Sequence, residues 1–158
     1  MVIAAVLMRS AALAAEGDTD LDRVIEHYHR ALGEFVKGKP QQGLALFSQK
    51  EDVTLGNPFG PFARGPKQVT DTATRAAKNY KEGDAAGFDR ISTYATPNLA
   101  YIVEVEHFNA KMVGRDDFAP LALRCTTVFR REEGTWKIVH RHADPITKPR
   151  MAESVIAK

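Results

Sequence analysis

Gly134-Thr-Trp-Lys-Ile-Val-His-Arg-His-Ala-Asp144, entered from Leu121–Arg131 through Glu132-Glu-Gly134, decides the fold class of this chain. Two alternating runs joined by a short turn ending in Gly form a β-hairpin, and the alternation separates an apolar face from a charge-bearing one. On the second run the apolar face carries Val139 and Ala143, with a single charge, Arg141, between them. Going back along the chain, Phe88–Ala95 and Leu99–Asn109 also alternate, and Thr96-Pro-Asn98 and Gly114-Arg-Asp-Asp117 punctuate them. The second half therefore reads as four consecutive strands.

The first half has a helical period. Thr19-Asp20-Leu21-Asp22 is a helix-start signal, a polar cap followed by acids in the first turn. Leu21, Val24, Ile25, Tyr28, Leu32, Phe35 and Val36 then recur at helical spacing up to Gly38. Pro40, Leu44 and Phe47 predict a short second helix, and Asp52-Val-Thr-Leu55 turns extended. Gly56-Asn-Pro-Phe-Gly-Pro61 predicts an irregular loop. Pro66 opens a third helix with Val69, Ala73, Ala76, Ala77 and Tyr80 on one side. Helices first and strands afterwards predict an α+β fold, three N-terminal helices packed on one face of a curved, mostly antiparallel sheet.

Length and composition narrow the function class. With 158 residues, 44% hydrophobic and 27% charged, the chain suits one globular domain. The expected division is an N-terminal extension over 1–18, the domain over 19–149 and a tail over 150–158. A net charge of +2 with scattered Lys and Arg argues against nucleic acid as a partner. The single cysteine, Cys125, excludes an intrachain disulfide and a multi-cysteine zinc site. No cofactor is expected. Met1–Ala15 is apolar but too short to span a bilayer, so no membrane partner is expected. Arg9 interrupts this run rather than preceding it, which predicts a retained helical extension and a cytoplasmic protein, with Met8 as a possible start. The alternative is a signal peptide ending near Ala12-Leu13-Ala14, hence a secreted or periplasmic protein.

Strand parity assigns side chains to faces. One set holds Leu99, Tyr101, Val103, Val105 and His107; Leu123, Cys125, Thr127 and Phe129; Val139, Arg141 and Ala143. It is expected to line a cavity between sheet and helices. The other holds Glu104 and Glu106; Arg124, Thr126 and Arg130; Trp136, Ile138, His140 and His142, a charge-alternating outer face whose Trp136 and Ile138 suit a dimer contact. A bulge would exchange these assignments locally. Arg141 stays charged when buried and needs an acid: either a helix carboxylate, Glu26 or Glu34, or a small organic anion in the cavity. His140 and His142 share a face with each other but not with His107, so no metal site is expected. Tyr28, Asn57 and Thr127 are neutral groups suited to orienting a carbonyl or hydroxyl.

Asp52-Val-Thr-Leu-Gly-Asn-Pro-Phe-Gly60, Arg64-Gly65, Ala122-Leu-Arg-Cys-Thr-Thr-Val-Phe-Arg130 and Trp136-Lys-Ile-Val-His-Arg-His142 together resemble the NTF2-like superfamily, in its SnoaL-like and ketosteroid-isomerase-like branch. The resemblance runs from about Leu21 to Pro149. It implies a cone-shaped, cystatin-like fold with a deep pocket, commonly a homodimer built through the sheets. Ketosteroid isomerases carry a basic Asp before Pro-Phe-Gly, where this chain has Asn57, and a protonated Asp in the penultimate strand, where it has Thr127. Asn57 has no titratable carboxylate, so it cannot act as that base, and catalytic residues stay unassigned. The association domain of calcium/calmodulin-dependent kinase is similar in Trp136-Lys-Ile-Val-His-Arg-His142. Its pocket arginines match Val103, Thr127 and Ala143, and Arg141 lies two residues before the last. These comparisons imply a small-molecule pocket with Arg141, Asn57, Thr127, Tyr28 and Tyr101 as polar contacts and Val103 and Phe129 in its wall. The alternatives are an isomerase, cyclase or hydrolase using non-standard residues, and a non-catalytic association module.

Overall fold

The computed structural model describes residues 20–156. The cap at Thr19 and the apolar segment Met1–Ala15 lie outside the described residues. Helix α1 covers residues 20–35, followed by a single-turn α2, Gln41–Leu44. Next come β1, Thr54–Asn57, β2, Gly60–Arg64, and α3, Pro66–Ala77. Four long strands complete the domain: β3, Tyr80–Ala95, β4, Leu99–Met112, β5, Ala119–Glu132, and β6, Thr135–Asp144. The six strands form one sheet in the order β2-β1-β6-β5-β4-β3. Only β1 and β6 pair in parallel; the other neighbours are antiparallel. Among the described residues no helix is long and apolar enough to cross a membrane.

The helices lie on one face because their stripes fit it. Leu21, Ile25, Tyr28 and Leu32 of α1 are buried, at the spacing that places them on one side of a helix. On α3 the buried set is Val69, Thr72, Ala73, Ala76 and Ala77, mostly small residues that leave room under the helix. Ile102, Phe129 and Ile138, each 0% exposed, form the sheet side of the core.

The Gly/Pro-dense stretch forms a hairpin rather than the irregular loop its composition suggests. Asn57 opposes Gly60, so Pro58-Phe59 is a two-residue turn. Pro61 stands in an edge strand, where a missing N–H is tolerated. The first long strand also starts earlier than its alternation predicts, at Tyr80, which belongs to β3 and not to α3. Its register with β4 shifts between Tyr80 and Glu82, Ala85 and Gly87, and Arg90 and Ser92, and each shift resets the period of two.

Two face assignments are corrected. On β4 the buried set is Ala100, Ile102, Glu104, Glu106, Phe108 and Ala110. Glu104 and Glu106 are therefore inside, and Leu99, Tyr101, Val103, Val105 and His107 belong to the outer face. Carboxylates can occupy the inner face because partners reach them there, and the outer face keeps apolar side chains. On β6 Phe129 pairs with Ile138 and Val128 with His140, which leaves Val139 as the extra residue of a bulge. The bulge puts Trp136 and Ile138 inside along with Arg141 and Ala143, while His140 and His142 face outward. Trp136 and Ile138 are 4% and 0% exposed and are removed from any outer contact.

Candidate ligand-binding site

A pocket opens between the sheet and the C-terminal end of α1. Its space is about 710 Å³ counted out through the open mouth. Leu55, Phe108, Leu123 and Arg141 form its sheet side, and Tyr28, Leu32 and Phe35 of α1, with Val36 just past its end, complete the helix side. Leu44 and Phe47 close one flank, Ala73 and Ala76 of α3 another, and Asn57, Pro58, Phe59 and Tyr80 complete the wall. The lining is overwhelmingly apolar, as is usual for small-molecule sites.

The polar wall is built by a buried network. Arg141 donates through Nη2 to Glu106 Oε2 at 2.5 Å and through Nε to Tyr28 Oη at 2.7 Å. Tyr28 in turn donates to Glu106 Oε1 at 2.6 Å, and Thr127 Oγ1 donates to Tyr28 Oη at 3.2 Å. The phenol oxygen thus gives one hydrogen bond and takes two. Glu106 and Thr127 are 0% exposed, Tyr28 2% and Arg141 9%. Burial pushes the Tyr28 phenol well above its ordinary value, with Arg141 pulling the other way. Burial also raises the Cys125 thiol, which lies 3.8 Å from Tyr28 Oη, to about 12. At neutral pH Cys125 is a protonated core thiol and no nucleophile.

Arg141 lines the cavity, and its Nη1 has no protein partner among the described residues. Asn57 accepts the Phe59 N–H through Oδ1 at 2.9 Å, which leaves its amide N–H groups free of protein partners among the described residues. Burial raises the Tyr80 phenol, and Arg141 lies near enough to oppose that shift.

A SnoaL-like domain profile matches residues 23–147. The chain belongs to the SnoaL-like family. No functionally curated protein matches it. Solved structures similar to this SnoaL-like protein include an NTF2-like superfamily protein from Salmonella enterica, 19% identical, covering 89% of this chain and 98% of that one with a TM-score of 0.71. A ketosteroid isomerase-like protein from Erwinia carotovora is 14% identical, with 82% and 96% coverage and a TM-score of 0.68. A type 2 hexachlorocyclohexane dehydrochlorinase is 11% identical, with 92% and 99% coverage and a TM-score of 0.67. At these identities the likeness establishes the NTF2-like fold of the SnoaL-like chain and leaves its activity open.

Against this geometry the residues singled out by sequence divide into three groups. Arg141, Tyr28 and Asn57 line the pocket. Thr127 is behind the wall, bonded to Tyr28, and Phe129 is core, its ring edge-on to Tyr28 at 6.3 Å. Tyr101 and Val103 stand on the outer face, opposite Val128 and Thr126, because of the β4 inversion. Arg141 draws its acid from β4 and not from α1: Glu26 pairs with Arg30 and Glu34 with Lys37. Sequence reasoning missed Glu106 and Tyr80. The need of Arg141 for an acid on its own face was the signal for the first; three register shifts hid the strand that carries the second.

The SnoaL-like protein has a second buried carboxylate, Glu104, outside the pocket. It accepts from His29 Nε2 and Arg90 Nε, both at 3.0 Å, while the His29 ring stacks on Phe88 at 3.7 Å. On the outer face Thr54 Oγ1 meets His140 Nδ1 at 2.8 Å, and the Phe62 ring stacks with His140 and lies tilted against His142. Among the described residues no group of three or more His, Cys, Asp or Glu side chains is placed to hold a metal ion.

Proposed function

We propose that this SnoaL-like protein binds a small, partly apolar molecule in the pocket between sheet and helices. One observation carries the reading: an apolar cavity is lined on its sheet side by Arg141, whose guanidinium keeps one nitrogen with no protein partner among the described residues. A ligand oxygen accepting from that nitrogen would complete the guanidinium, and apolar atoms would replace water along the rest of the wall. Binding is favoured over isomerase, cyclase or hydrolase chemistry by the lining itself. Its titratable side chains are Tyr28, Tyr80 and Arg141, and burial holds both phenols above their ordinary value. None of the three exchanges a proton readily at neutral pH.

The test is a thermal-shift and ligand-observed NMR screen of bicyclic aromatic ketones, esters and carboxylates against wild type and Leu44→Trp. Leu44 is half-buried in the pocket flank, so Trp there obstructs the cavity without touching Arg141. A ligand at 100 times its dissociation constant stabilises the folded state by about 2.7 kcal/mol. Stabilisation of wild type that disappears in Leu44→Trp supports the reading, and equal shifts in both proteins overturn it.

A second reading, a homodimer joined through the outer sheet face, is favoured by a separate observation. Ile91, Tyr94, Leu99 and Tyr101 are 67%, 53%, 46% and 37% exposed on neighbouring strands, and the two tyrosine rings stack at 5.7 Å. Contiguous apolar surface of this kind on a sheet face suits a partner.

A further inference from the structure

We infer that Glu106, which lies behind the pocket wall, makes the pocket select neutral hydrogen-bond acceptors over carboxylates. The inference rests on the ligand-pocket reading above. Arg141 is the only cationic side chain in the described lining, and its charge is already matched. Glu106 is 0% exposed, holds Nη2 of Arg141 at 2.5 Å and accepts the Tyr28 hydroxyl at 2.6 Å. The pair meets the cavity as a polar group without net charge. What it still offers is hydrogen-bond donation from Nη1, and the Asn57 amide adds donors at the edge. A ketone, ester or amide oxygen satisfies those donors and brings no charge. A carboxylate satisfies them equally well but brings a second anion to a guanidinium shared with Glu106. Inside an apolar wall that extra charge loses its hydration and gains no cation of its own. Glu106 therefore sets specificity through Arg141 and without touching the ligand.

Three probes on one skeleton test this: 2-acetylnaphthalene, methyl 2-naphthoate and 2-naphthoate, titrated into wild type and Glu106→Gln. Glutamine keeps an oxygen for Arg141 and removes the compensating charge. Wild type is expected to bind the ketone and ester at least about tenfold more tightly than the carboxylate, a difference set by one unmatched charge. In Glu106→Gln the carboxylate gains roughly tenfold or more, while the ketone changes by less than about threefold. Wild type also gives a measurement that no variant can spoil by misfolding. Its apparent affinity for total naphthoic acid should rise as pH falls from 7 to 5, as the neutral acid becomes available, with 2-acetylnaphthalene flat over the same range as the control for protein titration. Equal binding of ketone and carboxylate by wild type, a pH-independent carboxylate affinity, or an unchanged ratio in folded Glu106→Gln overturns the selectivity. If all three probes bind equally well to wild type and Leu44→Trp, the pocket reading itself fails.

Discussion

Arg141 of β6 and Glu106 of β4 meet across β5 on the inner sheet surface, and each would be intolerable there without the other. Removing the carboxylate leaves a guanidinium in a wall where only about a tenth of it is exposed. Glu106→Ala is therefore expected to lower unfolding free energy by about 3–5 kcal/mol in urea titrations. Joint replacement by Leu at 106 and Met at 141 should recover most of that loss, because apolar pairs of similar volume remove the desolvation problem. Glu104 gives a pH-dependent counterpart. Burial alone would raise its pKa, but the hydrogen bonds and charges of His29 and Arg90 more than offset this and hold it below the ordinary value. With the folded value below the unfolded value of about 4.3, the stabilisation is complete above that range and is lost as pH falls through the folded value. Acid titration of stability should be steeper for wild type than for Glu104→Gln, and identical slopes would contradict the assignment. At this scale the sequence was legible where a lone charge broke an apolar pattern, as at Arg141. It was illegible at β4, where two buried carboxylates looked like an outer face and the apolar Leu99, Tyr101, Val103 and Val105 looked like a core.

The elements explain which parts of that pattern can be read. Where strands pair without interruption, as β4 with β5 does from Leu99 to Ala110, one correct assignment fixes a whole strand. Where a residue is inserted, the assignment holds only to the insertion. Val139 in β6 is such a residue, and both halves of that strand face inward because of it: Ile138 before, Arg141 after. Deleting Val139 leaves Ile138 and Arg141 two residues apart, both inward on a regular ladder with β5, so the variant should keep cooperative unfolding and its near-UV circular dichroism; loss of either would contradict the bulge assignment. The turn between β5 and β6 has a milder defect. Glu133 and Gly134 have φ of 50° and 81°, the left-handed pair that a two-residue hairpin turn demands. Glutamate is poorly suited to the first of these positions, so Glu133→Asn should raise stability by roughly 0.5–1 kcal/mol, read as a higher urea midpoint with unchanged slope. The α1 stripe, the Pro66 helix start and the four long strands were legible from period and punctuation. The β1–β2 hairpin was hidden because Gly and Pro mark a tight turn and a loop in the same letters.

On the scale of the whole molecule, one sheet face is covered by helices and the other carries the exposed apolar side chains of β3 and β4. Tyr101→Glu places a charge in the middle of that patch without entering the core. Light scattering is expected to give a dimer mass for wild type and a monomer mass for Tyr101→Glu; a monomeric wild type at about 100 μM would end the dimer reading, since stable homodimers persist far below that concentration. The parallel contact of β1 with β6 bears on how the protein assembles. Thr54 meets His140 and Leu55 meets Arg141, so this edge closes a long stretch of intervening chain, whereas β3 through β6 join neighbour to neighbour by turns. Loop-closure entropy favours the meander first and the docking of β1 late. Leu55 and Asn57 then complete the pocket wall in the final stage of folding, and a ligand bound there should slow unfolding far more than it speeds folding.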